Sequence, residues 1–217
     1  MEEFFIKNLS MFSYILKGAP IAIFYSIIAM FLGFSIALFL TILRIKNSSL
    51  LNLCIRSYVS IFRGTPMLLQ LSVFYFGISS ISKLKMSPSM AAITTLSLNS
   101  GAYLYEILRG AVNAIPKGQY EAAKVLGIRE NLIMRDIILP QALKNLLPSL
   151  TNELITLLKD TSLISIIGVH EMLSRAKNIA AENFTWLLPF CISGAIYYIL
   201  VLIISYISKK IEQNLIK

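Results

Sequence analysis

The chain has 217 residues, 56% of them hydrophobic and only 14% charged, with a mean hydropathy of +0.72 and a formal net charge of +9. A soluble domain of this size would bury one core and coat itself in charge, so the composition excludes that class and points to a bilayer as solvent. With no soluble basic face for the positive balance to occupy, it argues against a nucleic-acid partner.

Glu2 and Glu3 stand where a secretory signal carries basic residues, and no small-residue cleavage site follows a short apolar core. The first membrane segment is therefore expected to be retained. Phe5, Leu9, Phe12 and Leu16 recur at helical spacing with Lys7, Asn8 and Lys17 between them, a pattern suited to a short helix on a membrane surface. The first span, Ala19 to Leu43, is uncharged and closes on Arg44 and Lys46. A second is predicted at about 64–80, entered through Arg56 and Arg63, with Gly64 and Pro66 as boundary residues. The third covers about 88–108 and ends at Arg109, and a polar stretch of about 110–147 follows it. The fourth, about 148–168, is interrupted by Glu153, Lys159 and Asp160, and the fifth, about 186–208, closes on Lys209 and Lys210. Trp186, Tyr197 and Tyr206 suit membrane interfaces. The expected fold is all-α, one polytopic transmembrane domain of about five helices over residues 1–217.

Orientation follows from the distribution of Lys and Arg, which cytoplasmic loops retain. The five-span reading places 13 of them on one side, from Arg44 and Lys46 to Lys209, Lys210 and Lys217, and 6 on the other: Lys7, Lys17, Lys83, Lys85, Arg175 and Lys177. The amino terminus is thus expected outside, the carboxyl terminus and the 110–147 segment in the cytoplasm. Cys54, read as lying in a loop, and Cys191, in a late apolar segment, fall near opposite faces and are expected to be free thiols. His170 has no histidine or cysteine cluster around it, so no metal site is expected.

In the polar segment Pro116 can open a helix, Lys117 to Leu126 is a good helix former, and Gly127 is placed to end it. A second short helix is predicted from Arg129 to Ile138, stopped by Pro140. Two short helices joined by a glycine turn make a knob for a soluble partner; the alternative is a solvated loop with incidental helicity.

Glu121, Ala122 and Ala123, three residues, Gly127, nine residues, then Ile137, Leu139 and Pro140 resemble the EAA signature of ABC importer permeases in both residue types and spacing. The stretches Phe62-Arg63-Gly64-Thr65-Pro66, Asn99-Ser100-Gly101-Ala102-Tyr103, Glu106-Ile107-Leu108-Arg109-Gly110, Ile115-Pro116-Lys117-Gly118-Gln119 and Lys159-Asp160-Thr161-Ser162-Leu163 are similar to those of its polar amino-acid uptake branch. The resemblance runs from the first span to about Gly168. It implies a multi-pass permease of a bacterial cytoplasmic (inner) membrane that pairs with a second permease chain, the same or related. A cytoplasmic ATPase dimer would dock on the EAA helices, and an extracytoplasmic binding protein would deliver an amino acid. No cofactor is implied. In agreement, no glycine precedes a lysine anywhere, so the phosphate-cradling G-x-x-x-x-G-K-[ST] loop is absent and ATP hydrolysis is expected on a separate chain.

On that reading the segment from Gln119 to Pro140 docks the ATPase. Ala122 and Ala123 allow close approach, Gly127 allows the turn, and Glu121 and Arg129 can pair with charges on the partner; helix capping is the alternative role for Glu121 and Gly127. For the substrate path, Glu153, Thr156 and Asp160 recur at helical spacing with Asn152 alongside. Glu153 and Asp160 suit the ammonium of an amino acid and Lys159 its carboxylate, unless Lys159 and Asp160 pair with neighbouring helices. Asn99, Ser100 and Gly101 serve either close packing or the path. Glu106 and Arg109 are expected to form a local ion pair, and Arg63 with Gln70 is a further candidate for the path.

Overall fold

A computed structural model describes residues 2–45, 48–81 and 85–216, and every regular element among them is helical. Lys46, Lys83 and Lys217, which entered the charge count, lie outside the described residues, as do the side chains of Phe5 and Lys7. Two helical stretches, Asn8–Arg44 and Leu187–Asn214, are long and apolar enough to cross a membrane.

Helix α1 (Glu2–Leu16) turns at Lys17 and Gly18 into α2 (Ala19–Ile45). The face of α1 that packs on the bundle is the one beside the apolar stripe read for a membrane surface. Met11 and Ile15 are buried in a cluster with Met172, Ala176 and Ile179, while Leu9, Phe12 and Leu16 point outward.

The 46–63 stretch, read as a loop, holds helix α3 (Ser49–Gly64), and Cys54 lies in it; both Cys54 and Cys191 are free. Gly64 and Pro66 are boundary residues as expected, but the boundary is a break between two helices: α3 ends at Gly64 and, after Pro66, the run resumes as α4, from Met67–Ser72 through a π turn, Val73–Gly77, to Ile78–Ile81. Pro66 has no N–H to give the Phe62 carbonyl four residues back. Gln70 Nε2 at 2.9 Å and Asn99 Nδ2 at 3.1 Å take that carbonyl instead. Gln70 also reaches Thr65 O at 3.1 Å and Thr65 Oγ1 at 2.8 Å, and its Oε1 accepts from Asn99 at 2.9 Å.

Helix α5 (Pro88–Asn113) opens on Ser87, whose hydroxyl accepts from Met90 N at 3.2 Å. It runs parallel to α2, from Tyr25–Ser89 at 2.8 Å to Arg44–Tyr105 at 2.7 Å. The two cross at glycines. A Cβ on Gly33 would lie 3.0 Å from Gly101 N, and one on Gly101 2.9 Å from Ile36 Cγ2 and Tyr58 Oη, so only small residues permit this approach.

After α6 (Lys117–Val125) the chain forms one long helix, α7, from Glu130–Leu132 through a π turn, Ile133–Ile138, into Leu139–Asp160. Pro140 therefore does not stop it, as the sequence suggests; the π turn shifts the hydrogen-bond ladder so that the proline, lacking an N–H, falls in the first turn of the regular helix. Pro148 sits inside α7 rather than at its start. The end of the fourth predicted span is a 3-10 turn, Thr161–Ile167, closed by Gly168 at φ 87°. A helix the sequence reading lacks, α8 (Met172–Asn183), precedes α9 (Leu187–Ile216).

Candidate translocation path and coupling segment

The 117–140 segment is a small folded unit. Ile115, Ala123, Ile133, Ile138 and Ala142 form its core, with Tyr120 and Ile128 packed on it. Its turn is a Schellman motif: Gly127 N bonds Lys124 O at 3.0 Å and Ile128 N bonds Ala123 O at 3.1 Å, with Gly127 at φ 73°. That conformation costs a residue with a Cβ about 1–2 kcal/mol, which accounts for the glycine.

The two alanines of the EAA triplet do different things. Ala122 is exposed, while Ala123 is buried and lets α6 close on α7. Glu121, Arg129 and Pro140 are exposed. Tyr120 donates to Glu130 at 3.0 Å, which raises its phenol above the usual range, and Lys124 lies 3.6 Å from the same carboxylate. Arg135, 2.7 Å from Asp136, holds that carboxyl below the usual carboxylate range. Gln141 clips α7 to Gln119 at 2.5 Å. At the tip, Val125 and Leu126 are 88% and 78% exposed. Sequence reasoning missed them, although two large apolar residues beside a turn glycine are a legible signal.

On α7, the polar residues read as one face divide by burial. Glu153 is buried and its carboxylate lies beside the Ser100 hydroxyl, without hydrogen-bond geometry; Asp160 is half-buried. Asn152, Thr156 and Lys159 are exposed, and Lys159 is in none of the close ion pairs among the described residues. Asn145, exposed, and Ser149, half-buried, extend this row, so that 145, 149, 152, 156 and 159 form a polar stripe along the second half of α7. The spacing is visible in the sequence; a search centred on charges passes over it. Thr156 donates to Asn152 O at 2.9 Å.

Asn99 is buried at the α3–α4 break, where both its amide N–H groups are engaged. Glu106 forms the expected pair with Arg109 at 2.5 Å and also faces Arg63 at 3.6 Å, while the Arg63 guanidinium lies 5.3 Å over the Tyr103 ring. Among the described residues no group of His, Cys, Asp and Glu could hold a metal ion.

Residues 29–216 match the family model of the binding-protein-dependent transport system inner membrane component. The chain belongs to that family. This inner membrane component is similar over its full length to the putative glutamine transport system permease protein GlnP of Rickettsia typhi, at 44% identity over 216 residues, 100% of this chain and 99% of the relative. It is 38% identical to the arginine transport system permease protein ArtQ of Bacillus subtilis, over 97% of this chain and 96% of that one. Its fold matches a crystal structure of an amino acid ABC transporter with histidines, at a TM-score of 0.89 and 31% identity, covering 97% of this chain and 96% of that one. The inward-facing MetNI methionine ABC transporter shares the fold, at a TM-score of 0.78 and 21% identity over 95% of this chain and 98% of that one. Members of the family are permease subunits, not enzymes, and the ATPase is a separate subunit.

Proposed function

We propose that α7 lines the translocation path of an amino-acid ABC importer, of which this chain is the permease subunit, and that the 117–140 segment docks the ATPase. The polar stripe of α7 carries the reading. Lys159 turned to lipid would cost roughly 2.5 to 3.5 kcal/mol even on the lenient insertion scale, so its face needs water or a second permease chain, the same or related, across it. Glu153 and Asp160 suit the ammonium of the substrate and Lys159 its carboxylate. Glutamine and arginine, named for the relatives, share those two groups, so this arrangement recognises what they have in common.

The same helix carries the docking segment at its other end. Movement of 117–140 against an ATPase is therefore delivered directly to the path, which suits a rigid-body alternation between outward-open and inward-open states. Five spans, near 19–43, 64–80, 88–108, 148–168 and 186–208, with the amino terminus outside, place Arg129 and Arg135 in the cytoplasm. An extracytoplasmic binding protein delivers the substrate on the opposite side.

The test is copurification and uptake in one set of variants. Gly127→Asp, which obstructs the turn, should lose the ATPase. Asn152→Leu with Thr156→Leu should keep the ATPase and lower ATP-driven amino-acid uptake in proteoliposomes by about tenfold or more, as loss of roughly 1.4 kcal/mol or more of stabilisation along the path would. An ATPase that binds neither the natural chain nor the stripe variant sinks the docking reading; full uptake by the stripe variant sinks the path.

A further inference from the structure

Among the described residues Phe184 is the non-glycine position with a positive φ, 52°. It ends α8 in a left-handed cap, in which Phe184 N and Thr185 N both bond Ala180 O, the second at 3.2 Å. Glycine or asparagine adopts this conformation readily, whereas a bulky residue is strained in it. Packing does not hold the ring there, because Phe184 is 90% exposed. Trp186 and Leu187 beside it are also exposed, and the Trp186 ring stacks on Phe190 with centroids 5.9 Å apart. Strain that persists without an internal contact points to a partner outside the chain. Helix α9 indicates which. Leu187, Cys191, Ala195, Tyr198, Leu202 and Tyr206 are exposed at helical spacing and form one stripe down it. The stretch of α9 apolar enough to cross a membrane starts at Leu187. Phe184 and Trp186 therefore stand where a lipid-facing stripe enters the headgroup layer, a depth that suits aromatic rings.

A cleft of about 610 Å³ lies beside this wedge, between α1 and α8, within the range of ordinary small-ligand sites. Met11 and Ile179, both buried, give it an apolar wall. Ser13, Tyr14 and Lys17 line it from α1 and the turn after it, Glu182 and Asn183 from the end of α8, and Asn183 leads directly into Phe184. Lys17 and Glu182 are exposed, and neither enters a close ion pair among the described residues. The cleft thus offers one cation and one anion to a ligand. Asn183 Nδ2 donates to Ile179 O at 3.1 Å, so its amide oxygen is the group left to accept. Leu9, Phe12 and Leu16 form the neighbouring row of α1 and point outward. A polar row in the cleft beside an apolar row outside it is the pattern of a helix lying in a membrane surface, which sets the cleft at headgroup depth.

We propose that the α1–α8 cleft and the Phe184–Leu187 wedge form a site for an amine-headed phospholipid of the outer leaflet. Its phosphate lies against Lys17 and the Ser13 and Tyr14 hydroxyls, its ammonium donates to Glu182 and the Asn183 amide oxygen, and Phe184 and Leu187 lie along its upper acyl chains. Phosphatidylethanolamine supplies both charges. Phosphatidylglycerol lacks the ammonium and sets a net anion against Glu182. The lipid fixes the end of α8 that the chain leaves unanchored. At the other end, the buried Glu171 carboxylate accepts from Leu173 N and Ser174 N, each at 2.7 Å, and Gly18 packs so closely that a Cβ there would lie 2.5 Å from Met172 N. The site needs only that α9 crosses the membrane and is independent of the roles given to α7.

Trp186 is the only tryptophan in the chain, so its emission reports the wedge without labelling. The full chain is reconstituted in vesicles of phosphatidylethanolamine and phosphatidylglycerol, with brominated acyl chains on one lipid at a time as quencher. At equal mole fraction, brominated phosphatidylethanolamine should occupy the site about fivefold more than brominated phosphatidylglycerol, the preference that one charge at the headgroup layer gives. Glu182→Gln should remove the preference and Glu182→Asp should keep it, while Lys17→Gln should weaken quenching by both lipids. Phe184→Gly relieves the backbone strain, so its thermal midpoint in detergent should be no lower, yet in vesicles Trp186 should emit further to the red. Equal quenching by the two lipids in the natural chain, or a preference that survives Glu182→Gln, overturns the headgroup site. Quenching relieved by millimolar glutamine or arginine assigns the cleft to a free amino acid and overturns it as well. A Trp186 quenched by aqueous iodide in the vesicles stands in water, open to a protein partner, and a lower midpoint for Phe184→Gly means that the ring packs on the chain; either result overturns the wedge.

Discussion

Pro66 leaves the Phe62 carbonyl without its helical donor, and an unpaired buried acceptor costs about 1–3 kcal/mol. Gln70 covers it together with Asn99, and in doing so also engages Thr65 and Asn99 itself. Gln70→Leu removes its own bonds to Phe62 O, Thr65 and Asn99 at similar volume, leaving Asn99 as the side-chain donor to Phe62 O. It should destabilise the protein by about 2 kcal/mol, read as a lower thermal unfolding midpoint in detergent; an unchanged midpoint would mean that the break does not need its side-chain donors. Gly101 is constrained from the other direction. A Cβ there meets Ile36 and Tyr58 at 2.9 Å, so Gly101→Val forces α2 or α3 away and should cost about 1–3 kcal/mol on the same scale.

At the level of elements, the break between α3 and α4 is a local defect that the rest of the bundle has been fitted to. Pro66→Ala supplies the missing N–H to Phe62 O. The variant should unfold no more easily than the natural protein, gaining up to about 1 kcal/mol, and yet lose uptake if the bend positions Gln70 and Asn99 beside the path. Equal uptake would assign the break to packing alone. How legible each element is in the sequence follows from where its partners lie. Helices α2 and α9 can be read directly, because an unbroken apolar run closed by Arg or Lys needs no tertiary information, and α5 because Pro88 opens it and Arg109 closes a mostly apolar run. Helix α3 is hidden because Arg63 looks like a loop charge, and only the fold reveals Glu106 and the Tyr103 ring held against it by another helix. Pro140 reads as a stop because the rule for proline is local, and the π turn that accommodates it is not visible in residue types. The proposed docking segment is the reverse case: Gly127 and the EAA spacing are sequence signals for a turn whose hydrogen bonds close within six residues, Ala123 to Ile128.

For the whole molecule, outward-facing surface has two chemistries, and on the proposed function they separate lipid from water. Ile199, Ile203 and Ile207 on α9 are exposed and apolar, whereas Asn152, Thr156 and Lys159 on α7 are exposed and polar. Both faces look alike by accessibility, which is why burial alone cannot locate the path. A thiol distinguishes them, since only an ionised thiolate in water reacts quickly with a charged methanethiosulfonate. In a Cys54→Ser, Cys191→Ser background, Thr156→Cys should be modified readily in the membrane-embedded complex, and substrate with its binding protein should slow the reaction. Ile207→Cys, set against lipid, should resist modification until the bilayer is dissolved. Equal protection of both positions would mean that the polar stripe of α7 is sealed against another protein surface, and the route for the amino acid would then have to run inside the chain, between Glu153 and Ser100.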